Sequence, residues 1–130
     1  MRSGIVRPVN QPPSHVLLGG ELDVVSFVRS YVELRIDYSL VRLLVPPSGV
    51  IDGQSWQLTD DTGADMLRRS INRTVFAVDF VDHEHLNLRI DGDATLGVSL
   101  RWTDGRGIEA LELMLADERG VPDITQWRIW

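Results

Sequence analysis

A chain of 130 residues and 14.7 kDa is the size of one domain, and 43% hydrophobic with 25% charged residues excludes wholesale disorder. The net charge of −6 is concentrated late, since residues 79 to 130 hold eleven acids against five arginines, and such a surface repels phosphate backbones, which excludes general nucleic-acid binding. No stretch approaches the roughly 20 apolar residues of a membrane span, no apolar signal segment follows Met1, and the lack of cysteine excludes disulfides and thiolate chemistry; the expectation is a cytoplasmic chain without a cofactor or a membrane partner.

Residues 1 to 19 carry three prolines and no acid, and read as a flexible arm before a single domain over residues 20 to 130. Leu22, Val25 and Val28 fall three apart, a stripe that admits a short helix or an extended entry; the helix is preferred. From Tyr31 the period is two, with Val32, Leu34, Ile36 and Tyr38 alternating with polar neighbours in the manner of a half-buried strand. Leu40 to Val45 suits a more central strand, interrupted by Pro46-Pro47-Ser48-Gly49. Val50 to Leu58 continues as strand, with Asp52-Gly53 as turn or bulge. The principal helix is expected over about 61 to 70, acids first and arginines last, which complements the macrodipole. Thr74 to Val81 and Leu86 to Asp91 read as strands around a tip at Asp82-His83-Glu84-His85. Asp91-Gly92 and Asp104-Gly105 are hairpin signals flanking the strand through Leu96 and Trp102. Ile108 to Ala116 fits helix by composition and strand by alternation, and strand is preferred. Gln126 to Trp130 closes the chain. The sum is an α+β domain, mainly antiparallel curved sheet with the principal helix between two groups of strands. Glu33-Leu34-Arg35-Ile36-Asp37 also recurs as Asn87-Leu88-Arg89-Ile90-Asp91, which raises a two-fold internal repeat.

The run Val28-Arg29-Ser30-Tyr31-Val32-Glu33-Leu34-Arg35-Ile36-Asp37-Tyr38-Ser39-Leu40, the helix near 62 to 70, and Asn72-Arg73-Thr74-Val75 before a strand pair resemble a family of small actinobacterial proteins defined as a domain of unknown function. The likeness spans roughly residues 27 to 111, and implies a hydrophobic-Asp-Tyr hairpin and a late Glu-Ala-Trp-like segment. Arg29 stands where glycine is common there, and Glu109-Ala110-Leu111 lacks the tryptophan. That family has no assigned catalytic residues, so the resemblance implies no site. The tail from Leu113 to Trp130 is similar to the final hairpin of some small bacterial immunity proteins.

Candidate sites are few. His83 and His85, two apart beside Asp82 and Glu84, could offer a transition metal two imidazoles on one strand face; a solvated hairpin tip explains them more simply. Asp60, Asp61 and Asp65 suit helix capping, and Asp91-Gly92-Asp93 lacks the terminal acid of a calcium loop. No phosphate-binding or nucleophile-elbow motif occurs. All 13 basic residues are arginine, and outward residues Glu33, Arg35, Asp37, Asn87, Arg89, Asp91, Ser99 and Arg101 suggest a polar ladder if their strands are neighbours. Arg35, Arg89 and Arg101 could instead hold an anionic ligand or an acidic loop of a partner. Trp130, turned away from the core if Trp127 is buried, marks a possible contact in a homodimer. The leading expectation is a non-enzymatic binding or interaction module, such as an immunity or adaptor protein with a protein partner or itself. The alternative is a small-ligand-binding or hydrolytic domain with a pocket between sheet and helix.

Overall fold

The computed structural model describes residues 17–29, 31–81, 83–101, 111–116 and 122–129. Alternating burial makes its strands: in β2 (Tyr31–Ile36) Val32, Leu34 and Ile36 are buried while Tyr31, Glu33 and Arg35 lie outward. β1 (Glu21–Val28) precedes it and β3 (Ser39–Leu43), β4 (Ser48–Ile51) and β5 (Gln54–Gln57) follow. After α1 (Gly63–Arg68) come β6 (Arg73–Val81), β7 (His85–Ile90), β8 (Ala94–Ser99), β9 (Leu111–Ala116) and β10 (Pro122–Ile129). These described strands join in one antiparallel sheet of order β10-β9-β3-β2-β1-β6-β7-β8-β4-β5. One hydrophobic core takes Leu34, Ile36, Leu43, Leu111 and Leu113 from one end of the sheet and Ile51, Trp56, Leu86, Ile90 and Leu96 from the other. The sheet therefore curls over its own inner face. Leu67 of α1 and Leu17 are fully buried in the same core, and each such leucine contributes about 2 kcal/mol of burial.

The domain is mainly β, and α1 is short. α1 keeps the expected charge order, Asp65 in the first turn paired to Arg68 in the last at 2.7 Å, and it buries Met66 and Leu67. No helix among the described residues is long and apolar enough to cross a membrane.

Two local expectations are corrected. Glu21–Val28 is strand rather than helix, since it pairs with both β2 and β6, and a bulge at Asp23 shifts its register between Leu22↔Ile36 and Val24↔Arg35. The extra residue puts Leu22 and Val25 on the same face, and so creates a helix-like spacing of three inside a strand. Tyr38 does not continue β2. Asp37 and Tyr38, with φ of 49° and 75°, turn the chain into β3 so that Ile36 pairs with Ser39, and two positive φ values are what a tight hairpin requires. Asp52 and Gly53 make the equivalent turn between β4 and β5.

The sequence echo reflects a structural repeat. β1-β2-β3 and β6-β7-β8 are like meanders, set back to back as though by a two-fold axis between β1 and β6. The bulge recurs at Phe76, between Val75↔Ile90 and Ala77↔Arg89, opposite the counterparts of Ile36 and Arg35. Each meander is then completed by the other's hairpin: β4-β5 docks on β8, while β9-β10 docks on β3.

Candidate functional site

Outward side chains of the first meander are neutralised by one another. Across β2, β3 and β9, Glu33 faces Arg42 and Arg42 faces Glu112. The Arg42 guanidinium donates to Glu33 at 2.9 Å and lies 3.5 Å from Glu112, with its carbon Cζ 5.4 Å from the centre of the Tyr31 ring. The hydrogen bond to Glu33 raises the Arg42 pKa. At the bulge, Arg35 forks onto Asp23 with a shortest contact of 2.8 Å. Those hydrogen bonds, with the charge behind them, hold the Asp23 carboxyl below its ordinary 3.8 against the opposing effect of partial burial, and the same pairing raises Arg35.

The repeat puts Phe76 where the first meander has Asp23, so Arg89, the counterpart of Arg35, stacks over the Phe76 ring at 5.5 Å. A further difference opens a site. In the second half Asn87 faces Gly97, and Gly97 faces Ser48. These are the register positions of Glu33, Arg42 and Glu112. The first half fills its position with an arginine, and the second leaves a depression of about 380 Å³ on the outer face, near the lower limit of small-ligand pockets. Ser48, Ser55, Gln57, Asp60, Asn87 and Thr95 supply its polar lining, with Val50 and Trp56. The Asn87 side-chain oxygen leans across Gly97, where a β-carbon would otherwise stand, so a larger residue at this position requires Asn87 to turn away. Gly49 likewise has no room for a β-carbon against the backbone carbonyl of Thr95. Thr95 Oγ1 accepts the Val50 N–H at 3.1 Å, and Asp60 accepts the Gln57 N–H at 3.1 Å, which fixes two rim groups. Trp56 belongs to the core, where its indole N–H is buried without an acceptor.

The arginines singled out from sequence do not converge. β1 and β6 stand between Arg35 on β2 and Arg89 on β7, a separation on the order of 14 Å across three strand spacings. Arg101 lies 3.9 Å from Glu84 and its backbone N–H donates to Ser99. The ladder expected to join Glu33, Arg35 and Asp37 with Asn87, Arg89 and Asp91 is therefore two separate sets, one in each half, for the same reason. His83 sits at the tip with φ of 65°, and His85 hydrogen-bonds Asp79 at 2.9 Å. Among the described residues no three His, Asp or Glu side chains are grouped to hold a metal. Trp130 lies outside the described residues. Gly97 and Ser48 were not recognisable as site residues by chemistry; the signal was positional, in the change from Leu40-Val41-Arg42 to Thr95-Leu96-Gly97 when the echo is extended.

A scan against protein-family models and searches of curated proteins and of solved structures found no match to this chain.

Proposed function

We propose that the chain is a non-enzymatic interaction module that engages a protein partner through the outer face of its second half, in the manner of an adaptor or immunity protein of the cytoplasm. The observation that supports this is the unequal repeat: one Glu33–Arg42–Glu112 position is closed by its own side chains and its counterpart at Asn87, Gly97 and Ser48 is open. A sheet face needs no depression to be stable, and the closed half shows how the same register is filled. The lining favours recognition over chemistry. Among the described residues its polar groups are amides, hydroxyls and one carboxylate, and the described groups whose proton affinity is displaced, Asp23, Arg35 and Arg42, owe that to ion pairs away from it.

Native mass spectrometry of gently purified protein tests the reading, with Ser48→Arg at the rim and Arg35→Ala in the first half compared with the parent. A protein partner bound to the parent and to Arg35→Ala, and lost from Ser48→Arg, supports it. A partner retained by Ser48→Arg, or a small molecule carried in place of any protein, overturns it.

A further inference from the structure

We infer that the depression at Gly97 receives an arginine side chain from the partner, set where the other half sets its own Arg42. This deepens the proposed interaction function and rests on that reading of the face. Three features carry it.

The first is register. Gly97 holds the Arg42 position between two flanking strands, with Asn87 in place of Glu33 and Ser48 in place of Glu112. The frame that sets two acceptor side chains about a guanidinium in the first half is thus present in the second, with the Asn87 amide lying across Gly97 in place of the arginine stem and turning outward to admit the partner's side chain. The second is chemistry. Asn87, Gln57, Ser48 and Ser55 offer oxygens that can accept, Asp60 supplies negative charge, and among the described residues no basic one lines the space. An anion would meet no cation there, and an apolar group would strand that polar lining without partners. A planar cation with several N–H donors satisfies it best. The third is the field of the whole chain, whose net charge of −6 attracts a basic partner surface and repels an acidic one. Replacing the two flanking glutamates by neutral groups makes the site weaker than a permanent ion pair, as suits an exchangeable occupant.

The test uses N-acetylarginine amide as the probe, with N-acetylcitrulline amide as its uncharged isostere and N-acetyllysine amide as the other cation. Amide NMR shifts report binding. The expected result is saturable shifts at Ser48, Asn87 and Gly97 with a Kd of about 10 mM for the arginine probe, near the free energy of one weakly held side chain. Citrulline and lysine probes bind at least about fivefold more weakly. Ser48→Glu, which restores one acid of the first half, tightens the arginine probe several-fold, while Ser48→Arg loosens it about tenfold by like-charge repulsion. Both changes lie at an exposed position, and unshifted amides in β1 and β2 confirm that the sheet is intact. Arg42→Gly gives an independent arm, since it empties the first position and should create a second set of probe-dependent shifts at Leu40 to Leu43.

Citrulline binding as well as arginine, or no shift at Gly97 at about 50 mM probe, overturns the inference. If the partner is still lost from Ser48→Arg in that case, the interaction face stands and only its arginine occupant is wrong. If the probe binds as expected but the partner ignores Ser48→Arg, the guanidinium site stands and the partner docks elsewhere.

Discussion

Replacing Arg42 by methionine keeps most of the aliphatic stem and removes the cation from the centre of the first half's charged triad. The 2.9 Å hydrogen bond to Glu33 is charge-assisted, but the Arg42 side chain keeps 30% of its exposure, so its loss costs about 1 kcal/mol and not the several expected of a buried pair. Loss of the Tyr31 ring contact adds about 0.5 kcal/mol. Glu33 and Glu112 are then left on either side of an uncharged residue, a like-charge arrangement costing roughly another 0.5 kcal/mol. The expected sum is about 2 kcal/mol, or a fall in Tm of about 8 °C for a domain of this size. Urea and thermal unfolding should both show it. Adding Glu33→Gln and Glu112→Gln to Arg42→Met should return about 0.5 kcal/mol, because the repulsion goes with the carboxylates. An Arg42→Met protein within about 0.5 kcal/mol of the parent would refute the assignment of structural weight to the triad, and with it the contrast between a closed and an open half.

The other ion pairs, the core and the sheet edge carry expectations of their own. Asp23 is held below its ordinary pKa in the folded state, so the stability it contributes is full above about pH 4 and is lost as pH falls through the lowered value; urea midpoints between about pH 5 and pH 2.5 should fall less for Asp23→Asn than for the parent, and equal losses would remove the Asp23–Arg35 pair from the account. Leu113 is buried opposite Val41, and Leu113→Asp should unfold the domain by burying an unpaired carboxylate, with a folded circular dichroism spectrum as the contrary result. His83→Asn with His85→Asn should leave Tm unchanged with or without zinc, whereas a zinc-dependent rise confined to the parent would restore the metal reading. β10 ends the sheet as a free edge among the described strands; pairing of that edge with a second copy predicts a dimer in light scattering that Trp130→Ala shifts toward monomer, and a parent that stays monomeric at high concentration would exclude it.

Patterns that depend on near neighbours were legible in the sequence. The alternation of β2 and β7, the Asp52-Gly53 turn and the charge order of α1 all follow from local chemistry. β1 was misread because its bulge imitates the period of a helix: one extra residue at Asp23 spaces Leu22 and Val25 three apart, and the same distortion separates Val75 from Val78. The β2–β3 hairpin was hidden from pattern by Tyr38, a residue that seldom takes a φ of 75°. The site was least legible. Asn87, Gly97 and Ser48 are made neighbours by pairing of β8 with both β7 and β4, and nothing local to Ser48 encodes its distance from Gly97. What the sequence did carry was the repeated pentapeptide, and extending it by register exposes the arginine-to-glycine change.

The exchange of hairpins between the two halves has a consequence for how such a chain comes together. A single repeat could not seat β4-β5 on its own meander in this arrangement; it would need a second molecule, with each copy lending its hairpin to the other. Covalent linkage turns that bimolecular exchange into a ring closure at an effective concentration fixed by the tether, though still a slow one. Val50 must find Thr95, and Arg42 must find Glu112 across 70 residues of chain, while the meanders close locally, so the hairpins are expected to dock last and to limit the folding rate. Linkage also lifts a constraint. In a symmetric assembly of identical chains any change is made twice, and removing the central arginine would open both positions together. In one continuous chain the two can differ, so Arg42 secures one end of the sheet while Gly97 leaves the other open.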